Sequence, residues 1–341
     1  MKNATTLKEN IFAQDTVSFV GMEKNTGKTE CLKSVLSACA REGRTVGITS
    51  IGLDGESCDQ VTGTSKPEIM LTSGTVFVTS EKLYHARKLT SEILAVSQQR
   101  TALGRLITAR AITPGKVMLS GPVSTGHLKE VIAQIQQFGV QHVFVDGALS
   151  RKSLGSPTVT SGLVLTTGAA LSPNLAELVR KTKFVCEMID LDKYETSNQN
   201  RMLDIESGIF ALSDEGELVD LNISSAFLLE KKRDQLFAHG HRLFVSGAIS
   251  DKLLDFLRTQ PEITDTQIII KDFTKVFATP MSVHAFQQKG GRLRVLLKPR
   301  LLGICANPWS PAGYVMDSER LCGELSNALQ IPVIDIKRQG L

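Results

Sequence analysis

The sequence predicts an α/β fold with a mostly parallel, doubly wound sheet and a second, C-terminal α/β region. Short apolar runs alternate with segments of helical periodicity, as they do in parallel sheets with crossover helices. Aromatic residues make up only 5% of the 341 residues, so aliphatic side chains must fill the core. Loops rich in glycine and small polar residues directly follow several of the apolar runs.

Composition narrows the class of protein. A hydrophobic fraction of 42% and a charged fraction of 22% are typical of globular chains. The formal charge of +4 comes from scattered lysines and arginines, so we expect no nucleic-acid partner. Residues 1–14 lack the apolar segment of a signal peptide, no run is long enough to span a membrane, and the six cysteines lack metal-site spacing. We therefore expect a cytoplasmic protein with reduced thiols.

The first elements form a strand–loop–helix–strand unit. Residues 16–20 are an apolar run that enters a glycine-containing loop. Residues 30–41 follow with apolar positions at spacings of three and four, which is typical of a helix. Residues 45–50 then predict the next strand, which completes the βαβ pattern of a parallel sheet.

Similar units fill the rest of the chain. The patterns predict strands at residues 75–78, 116–120, 142–148, 162–168, 184–189, 242–245, 267–271 and 332–336, with two short strands within 292–304. They predict helices at residues 82–99, 128–138, 251–257, 283–288 and 317–329, and one that begins after Ser172-Pro173. The alternation loosens between residues 190 and 220. We therefore predict a nucleotide-binding domain at 1–195 and a C-terminal α/β region at 196–341 with a β-rich connector that could present a partner-binding surface.

An internal similarity links the two parts. Residues 145–152 match residues 245–252 at five of eight positions, but Asp146 of the first copy is a serine in the second. Two related α/β halves would explain the match, and so would ordinary strand-to-helix turn chemistry. The sequence leaves both explanations open.

The loop at residues 21–29 has the composition of a phosphate-binding loop. Such a loop needs backbone N–H groups that converge on one point, a lysine for the β- and γ-phosphates and a hydroxyl for Mg²⁺. Gly27, Lys28 and Thr29 supply these features between an apolar strand and an amphipathic helix. The sequence therefore predicts a sheet of P-loop NTPase type that binds a nucleotide.

The spacing of this loop departs from the common pattern. G-x(4)-G-K-[ST] requires glycine at position 22, but the chain has Met22 there and Gly21 one residue earlier. Residues 21–29 (Gly-Met-Glu-Lys-Asn-Thr-Gly-Lys-Thr) instead resemble the loop of the SIMIBI class of P-loop NTPases. We predict that the cofactor-binding residues are Gly21, Lys24, Asn25, Thr26, Gly27, Lys28 and Thr29. The resemblance also allows a homodimer in which Lys24 reaches phosphates across the interface, although Lys24 precedes Lys28 by four residues where the class usually has five.

A magnesium ion bound beside the phosphates needs carboxylate ligands at a neighbouring strand end. Asp146 ends an apolar run and is the leading candidate, with Thr29 as the hydroxyl ligand. Asp54 and Glu56 follow the second predicted strand, and Asp54 is a further candidate. A helix cap for Asp146 and a plain acidic turn for Asp54 are the structural alternatives.

Two further strand-end loops bear on the substrate. Residues 120–127 are rich in small residues and end in His127, and we expect them at the same sheet edge as the phosphate loop. Residues 166–168 end another strand, where a base could be recognised. The chain has no N-K-x-D guanine-reading motif, which favours ATP and leaves GTP open.

Several segments together resemble one family within this class. They are residues 20–29, 51–56, 144–148, 307–311 and 331–335, and they are similar to the reactivase subunit of lysine 5,6-aminomutase. That family accompanies an adenosylcobalamin-dependent aminomutase and a MutS-like ATPase partner. The resemblance implies a chaperone-like ATPase that helps to exchange inactivated cobalamin, with a partner surface in the C-terminal half. The alternative is a small-molecule ligase or kinase similar to dethiobiotin synthetase, in which residues 120–127 bind the acceptor.

Overall fold

A computed structural model describes residues 2–51, 68–148, 157–213, 216–223 and 229–341. The chain forms two compact units. Unit 1 contains Met1–Lys183 and Pro299–Leu341, and unit 2 contains Phe184–Lys298.

Helices and strands alternate along most of the chain. The first segment of unit 1 contains α1 (Lys2–Phe12), β1 (Thr16–Gly21), α2 (Lys28–Arg41), β2 (Val46–Ser50), β3 (Ile69–Leu71), β4 (Val76–Ser80), α3 (Glu81–His85), β5 (Ser91–Thr101), β6 (Gly104–Ala111), β7 (Gly115–Val117), α4 (Thr125–Gln136), β8 (His142–Ala148), β9 (Gly162–Gly168) and the start of α5 (Leu175–Ile189). Unit 2 continues with β10 (Asp192–Lys193), α6 (Gln199–Asp204), β11 (Ile209–Leu212), β12 (Leu218–Asp220), α7 (Arg233–Leu236), β13 (Arg242–Val245), α8 (Asp251–Arg258), β14 (Gln267–Ile270), α9 (Pro280–Gln288) and β15 (Arg292–Val295). The second segment of unit 1 adds β16 (Arg300–Asn307), α10 (Ser318–Leu329), β17 (Val333–Ile334) and α11 (Ile336–Gln339).

Unit 1 is built on a sheet in which the described residues supply nine strands, in the order β17-β16-β9-β1-β8-β2-β4-β6-β5. The strands from β17 to β4 are parallel, whereas β6 and β5 are antiparallel to their neighbours. A small antiparallel pair, β3 with β7, lies outside this sheet. The predicted α/β class with a mostly parallel sheet is therefore confirmed.

Helices cover the main sheet on both faces. Phe144 of β8 belongs to a core cluster that also contains Leu7 of α1 and Leu32 of α2. The adjacent residue Val143 belongs to a second cluster with Leu128 of α4. Successive residues of a strand point to opposite faces, so α1 and α2 cover one face and α4 covers the other. This double cover explains why the central strands β1, β2 and β9 are buried along most of their length.

Unit 2 has its own sheet, in the order β10-β15-β14-β13-β11-β12. Strands β10, β15, β14 and β13 are parallel, and β11 and β12 are antiparallel. Helices α8 and α9 supply the crossovers between the parallel strands. The predicted resumption of α/β alternation after the β-rich connector is confirmed by this arrangement.

Two predicted elements are wrong. Residues 82–99 were expected to form a polar helix, but the structure has the short helix α3 followed by β5, at the border of the sheet. An edge strand needs few buried side chains, so its polarity imitates an exposed helix. Residues 184–189 were expected to form a strand and instead end α5, because a short apolar run does not distinguish the two states.

The domain organisation also differs from the predicted one. The sequence predicted a single boundary between residues 195 and 196, whereas the compact units change at 183/184 and again at 298/299. The segment after unit 2 returns to the first sheet, where β16 pairs with β9 along its length. Among the helices of the described ranges, none has the length and hydropathy needed to cross a membrane.

Candidate functional site: a loop at the carboxyl edge of the main sheet

The loop between β1 and α2 turns sharply with two residues in the left-handed region. Asn25 has φ 63° and Gly27 has φ 93°. A left-handed backbone is strained for most residues and is easiest for glycine and asparagine. Gly27 is also the N-cap of α2 and makes no side-chain cap, so the first N–H groups of the helix face the loop without a capping side chain.

The first half of the loop is packed closely upon itself. Gly21 is buried, and a Cβ atom there would lie 3.0 Å from Thr26 Oγ1 and 3.2 Å from the Glu23 carbonyl oxygen. The buried Thr26 hydroxyl donates to the Glu23 carbonyl at 2.8 Å and lies 3.1 Å from Thr166 Oγ1. A side chain at position 21 would therefore disturb the loop. This crowding gives Gly21 a packing role within the loop.

Lys28 joins the loop to the next strand. Its Nζ atom donates a hydrogen bond to the Gly147 carbonyl at 2.7 Å and lies 2.9 Å from Asp146 Oδ1. Asp146 and Gly147 lie near the end of β8, which is parallel to β1 with Phe19 opposite Asp146. The parallel register thus brings the predicted lysine and the predicted carboxylate together, although they are far apart in sequence.

Two side chains next to Lys28, Asp146 in space and Thr29 in sequence, carry oxygen atoms of kinds that bind divalent cations. Asp146 Oδ1 is inaccessible to solvent and, apart from the ion pair with Lys28, has no partner in hydrogen-bond geometry among the described residues. The Thr29 side chain is partly exposed and makes no hydrogen bond to any residue that the structure describes. Carboxylate and hydroxyl oxygens are suitable Mg²⁺ ligands, and a buried carboxylate oxygen paired with the Lys28 ammonium is the kind of atom that can accept a metal ion in its place. Asp54, the other predicted metal ligand, lies outside the described residues, as does Glu56.

Asn307 is a residue of this site whose contact with the loop the sequence did not predict. It ends β16, and its Nδ2 group donates to the Asn25 carbonyl at 2.8 Å. A Cβ atom on Gly27 would lie 3.1 Å from Asn307 Cβ, so this side chain lies directly against the left-handed turn. An asparagine that ends an apolar run before a proline is a weak signal of such a contact, because the pairing spans most of the chain.

The second small-residue loop lies at the same edge. A Cβ atom on Gly121 would lie 1.6 Å from the carbonyl oxygen of Ser50, the last residue of β2. Ser50 is opposite Asp146 in the β2–β8 register, so residues 120–127 approach the site from the β2 side. Ser120 is buried, and its hydroxyl has no hydrogen-bond partner in the part of the chain that the structure describes. The placement expected for this loop agrees with the structure.

The remaining predicted residues differ in their exposure. Lys24 and Asn25 are exposed, and Lys24 has at least one polar or electrostatic partner. The backbone N–H group of His127 donates to Ser124, the N-cap of α4. Thr166 is fully buried at the end of β9 and accepts a hydrogen bond from the Met22 N–H at 3.0 Å through its carbonyl.

Two buried cysteines are in contact close to the loop, one on α2 and one on β16. Cys31 of α2 and Cys305 of β16 are buried free thiols with sulfur atoms 2.6 Å apart. The pKa of Cys305 is raised well above its usual value by the hydrogen bond between the two thiols and by burial. A buried, protonated thiol is unreactive, so we assign this pair a structural role. The contact packs β16 against α2, the helix that carries Lys28.

The fold and the site define an α/β protein with a cationic, glycine-containing loop at the carboxyl edge of a mostly parallel sheet, where open α/β sheets bind ligands. Lysine, free backbone N–H groups and an adjacent carboxylate together suit an anion with a divalent counter-ion. Comparison of the chain with protein-family models, curated proteins and solved structures gives no match.

Proposed function

We propose that the chain binds a nucleoside triphosphate, ATP in preference to GTP, with its phosphates at the loop of residues 21–29. One observation carries the proposal: the Lys28 ammonium lies at the sheet edge beside Asp146, at the start of a helix without a capping side chain. The phosphate oxygens would replace Gly147 and Asp146 as partners of the Lys28 ammonium. They would also accept hydrogen bonds from the first N–H groups of α2. This makes the protein a member of the P-loop NTPase type under the proposal.

Within this proposal Asp146 and Thr29 would hold Mg²⁺, which neutralises charge on the β- and γ-phosphates when bound. Asp146 needs no large movement of the main chain, because β8 is a central strand paired on both sides. Gly27 and Asn25 keep the loop in its left-handed turn, and Asn307 holds that turn from the β16 side. The chain's own residues therefore bind and orient the phosphates, and we assign no residue to the attack on the γ-phosphate.

We propose further that the protein is an ATPase subunit that reactivates adenosylcobalamin-dependent lysine 5,6-aminomutase, together with a MutS-like ATPase. The support is the resemblance of residues 20–29, 144–148 and 307–311 to that family. A nucleotide cycle can open a client enzyme if the two nucleotide states bind the client with different affinities.

A second candidate function rests on Ser120. Its buried hydroxyl without a partner among the described residues lies beside the end of β2, in the loop that approaches Asp146. A small carboxylate or alcohol acceptor bound there would face the phosphates, as a ligase or kinase similar to dethiobiotin synthetase requires. This enzyme would turn over a metabolite without any protein client.

Removal of the Lys28 ammonium tests nucleotide binding. We expect Lys28→Ala to weaken MgATP binding at least about 100-fold, or about 2.7 kcal/mol, because hydrogen bonds to charged groups are lost. Isothermal titration calorimetry measures the affinity. Lys33→Ala is the matched control, since Lys33 lies on the same helix in a surface ion pair with Glu30 at 3.1 Å. Equal affinity of wild type and Lys28→Ala would remove the basis of the proposal.

Reactivation separates the two candidate functions. The assay mixes stalled aminomutase with the chain, its ATPase partner, ATP, Mg²⁺ and adenosylcobalamin, and follows recovery of lysine isomerisation. Recovery that depends on the wild-type chain and fails with Lys28→Ala supports the reactivase. No recovery in the complete mixture, combined with ATP consumption that depends on a small carboxylic acid or alcohol, would favour the second candidate.

A further inference from the structure

The segment after β16 forms a hairpin, residues 308–316, which carries two exposed apolar side chains near its base. Trp309 and Val315 are paired by an antiparallel bridge. The Met316 N–H donates to the Pro308 carbonyl at 2.8 Å, and the Ser310 N–H donates to the Tyr314 carbonyl at 3.0 Å. Despite this order, Trp309 is 51% exposed and Val315 is 68% exposed. Tryptophan is enriched at binding interfaces, so an indole exposed on a well-bonded hairpin suggests a binding surface.

The hairpin is fixed beside the loop that carries Lys28. Asn307 accepts the Trp309 N–H at 3.2 Å through Oδ1 and donates to the Asn25 carbonyl through Nδ2. On the other side, the Tyr314 hydroxyl donates to the Ala169 carbonyl, directly after β9. One side chain, Asn307, therefore connects the backbone of Trp309 to the backbone of the loop.

The order of strands gives a bound nucleotide a direction. Asp146 lies near the end of β8, on one side of β1, whereas β9 and β16 lie on the other side. Because Asp146 and Lys28 would serve the terminal phosphates, the γ-phosphate would lie towards β8 and the nucleoside towards β9 and β16. From β1 to β16 is two strand spacings, about 10 Å. That offset leaves room for the α-phosphate and the ribose, and it brings the base to the hairpin.

We propose that the exposed indole of Trp309 is the surface on which the base of the bound nucleotide stacks. The inference rests on the proposed nucleotide binding and adds the residue that holds the base. Aromatic stacking accepts any base because each has a π-face, so this contact supplies affinity without discriminating adenine from guanine. Val315 is opposite Trp309 in the antiparallel bridge, and its aliphatic side chain has no π-face on which a base could stack.

A fluorescence titration tests this placement directly, since Trp309 is the only tryptophan of the chain. MgATP and inorganic tripolyphosphate with Mg²⁺ are titrated separately into the wild-type protein, and calorimetry confirms that each binds. We expect ATP to quench or shift the Trp309 emission and bound tripolyphosphate to change it far less. Identical emission changes with the two ligands, or none with bound ATP, would overturn the proposal.

Variants separate the base contact from the phosphate contact. We expect Trp309→Ala to weaken MgATP binding about 5- to 100-fold and to leave tripolyphosphate binding unchanged. Trp309→Phe should recover most of the affinity, and Val315→Ala should match the wild type. Equal losses for both ligands, or no loss for ATP, contradict the role of Trp309 while nucleotide binding itself stands. The indole would then be a contact for a protein partner. If neither ligand binds the wild-type chain, the proposed function fails together with this inference.

Discussion

The two sheets contain the same strand ending in different surroundings. Residues 145–148 read Val-Asp-Gly-Ala, and residues 245–248 read Val-Ser-Gly-Ala. In unit 1 the acid of this ending lies 2.9 Å from the Lys28 ammonium. In unit 2 the corresponding Ser246 is buried, and its hydroxyl donates to the Gly208 carbonyl at 3.1 Å. The carboxylate of Asp146 in unit 1 is therefore paired with a lysine side chain, whereas the hydroxyl of Ser246 in unit 2 is hydrogen-bonded to the backbone.

The comparison shows that the strand-to-helix turn is not sufficient to make a candidate binding site. The turn chemistry of a strand-to-helix connection is common to both units, but the second sheet has no glycine-lysine loop beside it in the described residues. In unit 1 the neighbouring strand endings also pack tightly: a Cβ atom on Gly168 would lie 2.1 Å from the Asn307 carbonyl oxygen. A Cβ atom on Gly247 in unit 2 would have no neighbour within 4 Å among the residues that the structure describes. Two features therefore distinguish the candidate site in unit 1 from the similar strand ending in unit 2. Its strand ends are tightly packed, and a lysine from the neighbouring loop contacts its acid.

We expect the largest effect on stability from a substitution that disturbs the tight packing of the strand ends in unit 1. We expect Gly168→Ala to lower the free energy of unfolding by about 3 kcal/mol, because its methyl group would collide with backbone and push β16 away from β9. Gly247→Ala should change it by less than about 0.5 kcal/mol. Urea unfolding followed by far-ultraviolet circular dichroism measures both variants. Similar stabilities for the two alanine variants would show that the strand endings are not packed differently.

A smaller effect concerns the acid that separates the two endings. We expect Asp146→Asn to weaken MgATP binding about 10- to 100-fold, because a metal ligand is lost. With excess EDTA the same variant should bind ATP as well as the wild type or better, since a negative charge beside the phosphates has gone. Ser246→Ala is the control in unit 2. It should leave nucleotide affinity unchanged and cost about 1 kcal/mol of stability for its lost hydrogen bond. Equal weakening of Asp146→Asn with and without Mg²⁺ would contradict a metal role.

The smallest effect concerns the lysine that follows a strand in unit 2. Burial lowers the pKa of Lys271 below 10.5, and the positive charge of Lys275 lowers it further. The folded state therefore disfavours charged Lys271, and this cost disappears as the pH rises through the lowered pKa towards 10.5. We expect Lys271→Met to stabilise the protein at pH 7 by less than about 1 kcal/mol, with a smaller gain near pH 10.

Thermal unfolding of wild type and Lys271→Met across this pH range measures the gain. The variant should also bind MgATP like the wild type, in contrast to Lys28→Ala. A stabilisation that grew with pH would show that the charge on Lys271 is favourable in the folded state.

Local patterns were sufficient for much of the fold and for the position of the loop that precedes α2. The strand at residues 162–168 and the strand at residues 242–245 have the predicted bounds, because buried apolar runs between polar turns are unambiguous when they are short and regular. The proximity of Lys28 to Asp146 follows from the parallel order of β1 and β8. These features depend on neighbours in sequence or on one strand pairing.

The remaining features depend on distant contacts. No local pattern shows that Asn307 reaches the Asn25 carbonyl, since the two residues meet only after β16 has paired with β9. Strand β5 has a mixture of exposed and half-exposed residues that also suits a helix, and only its pairing with β6 decides the matter. Helix α1 was not predicted, because its residues are mostly polar, although Leu7 and Ile11 are completely buried.

The return of the chain to its first unit has a consequence for synthesis on the ribosome. Strand β16 is translated only after the whole of unit 2, on the order of 100 residues and about 5–20 s later at about 5–20 residues per second. Until then β9, whose residues are all buried in the finished protein, is an open edge of the growing sheet. Open apolar edges are prone to pair with other chains. The nascent protein therefore passes through a vulnerable interval that ends when the strand bearing Asn307 arrives and closes the site.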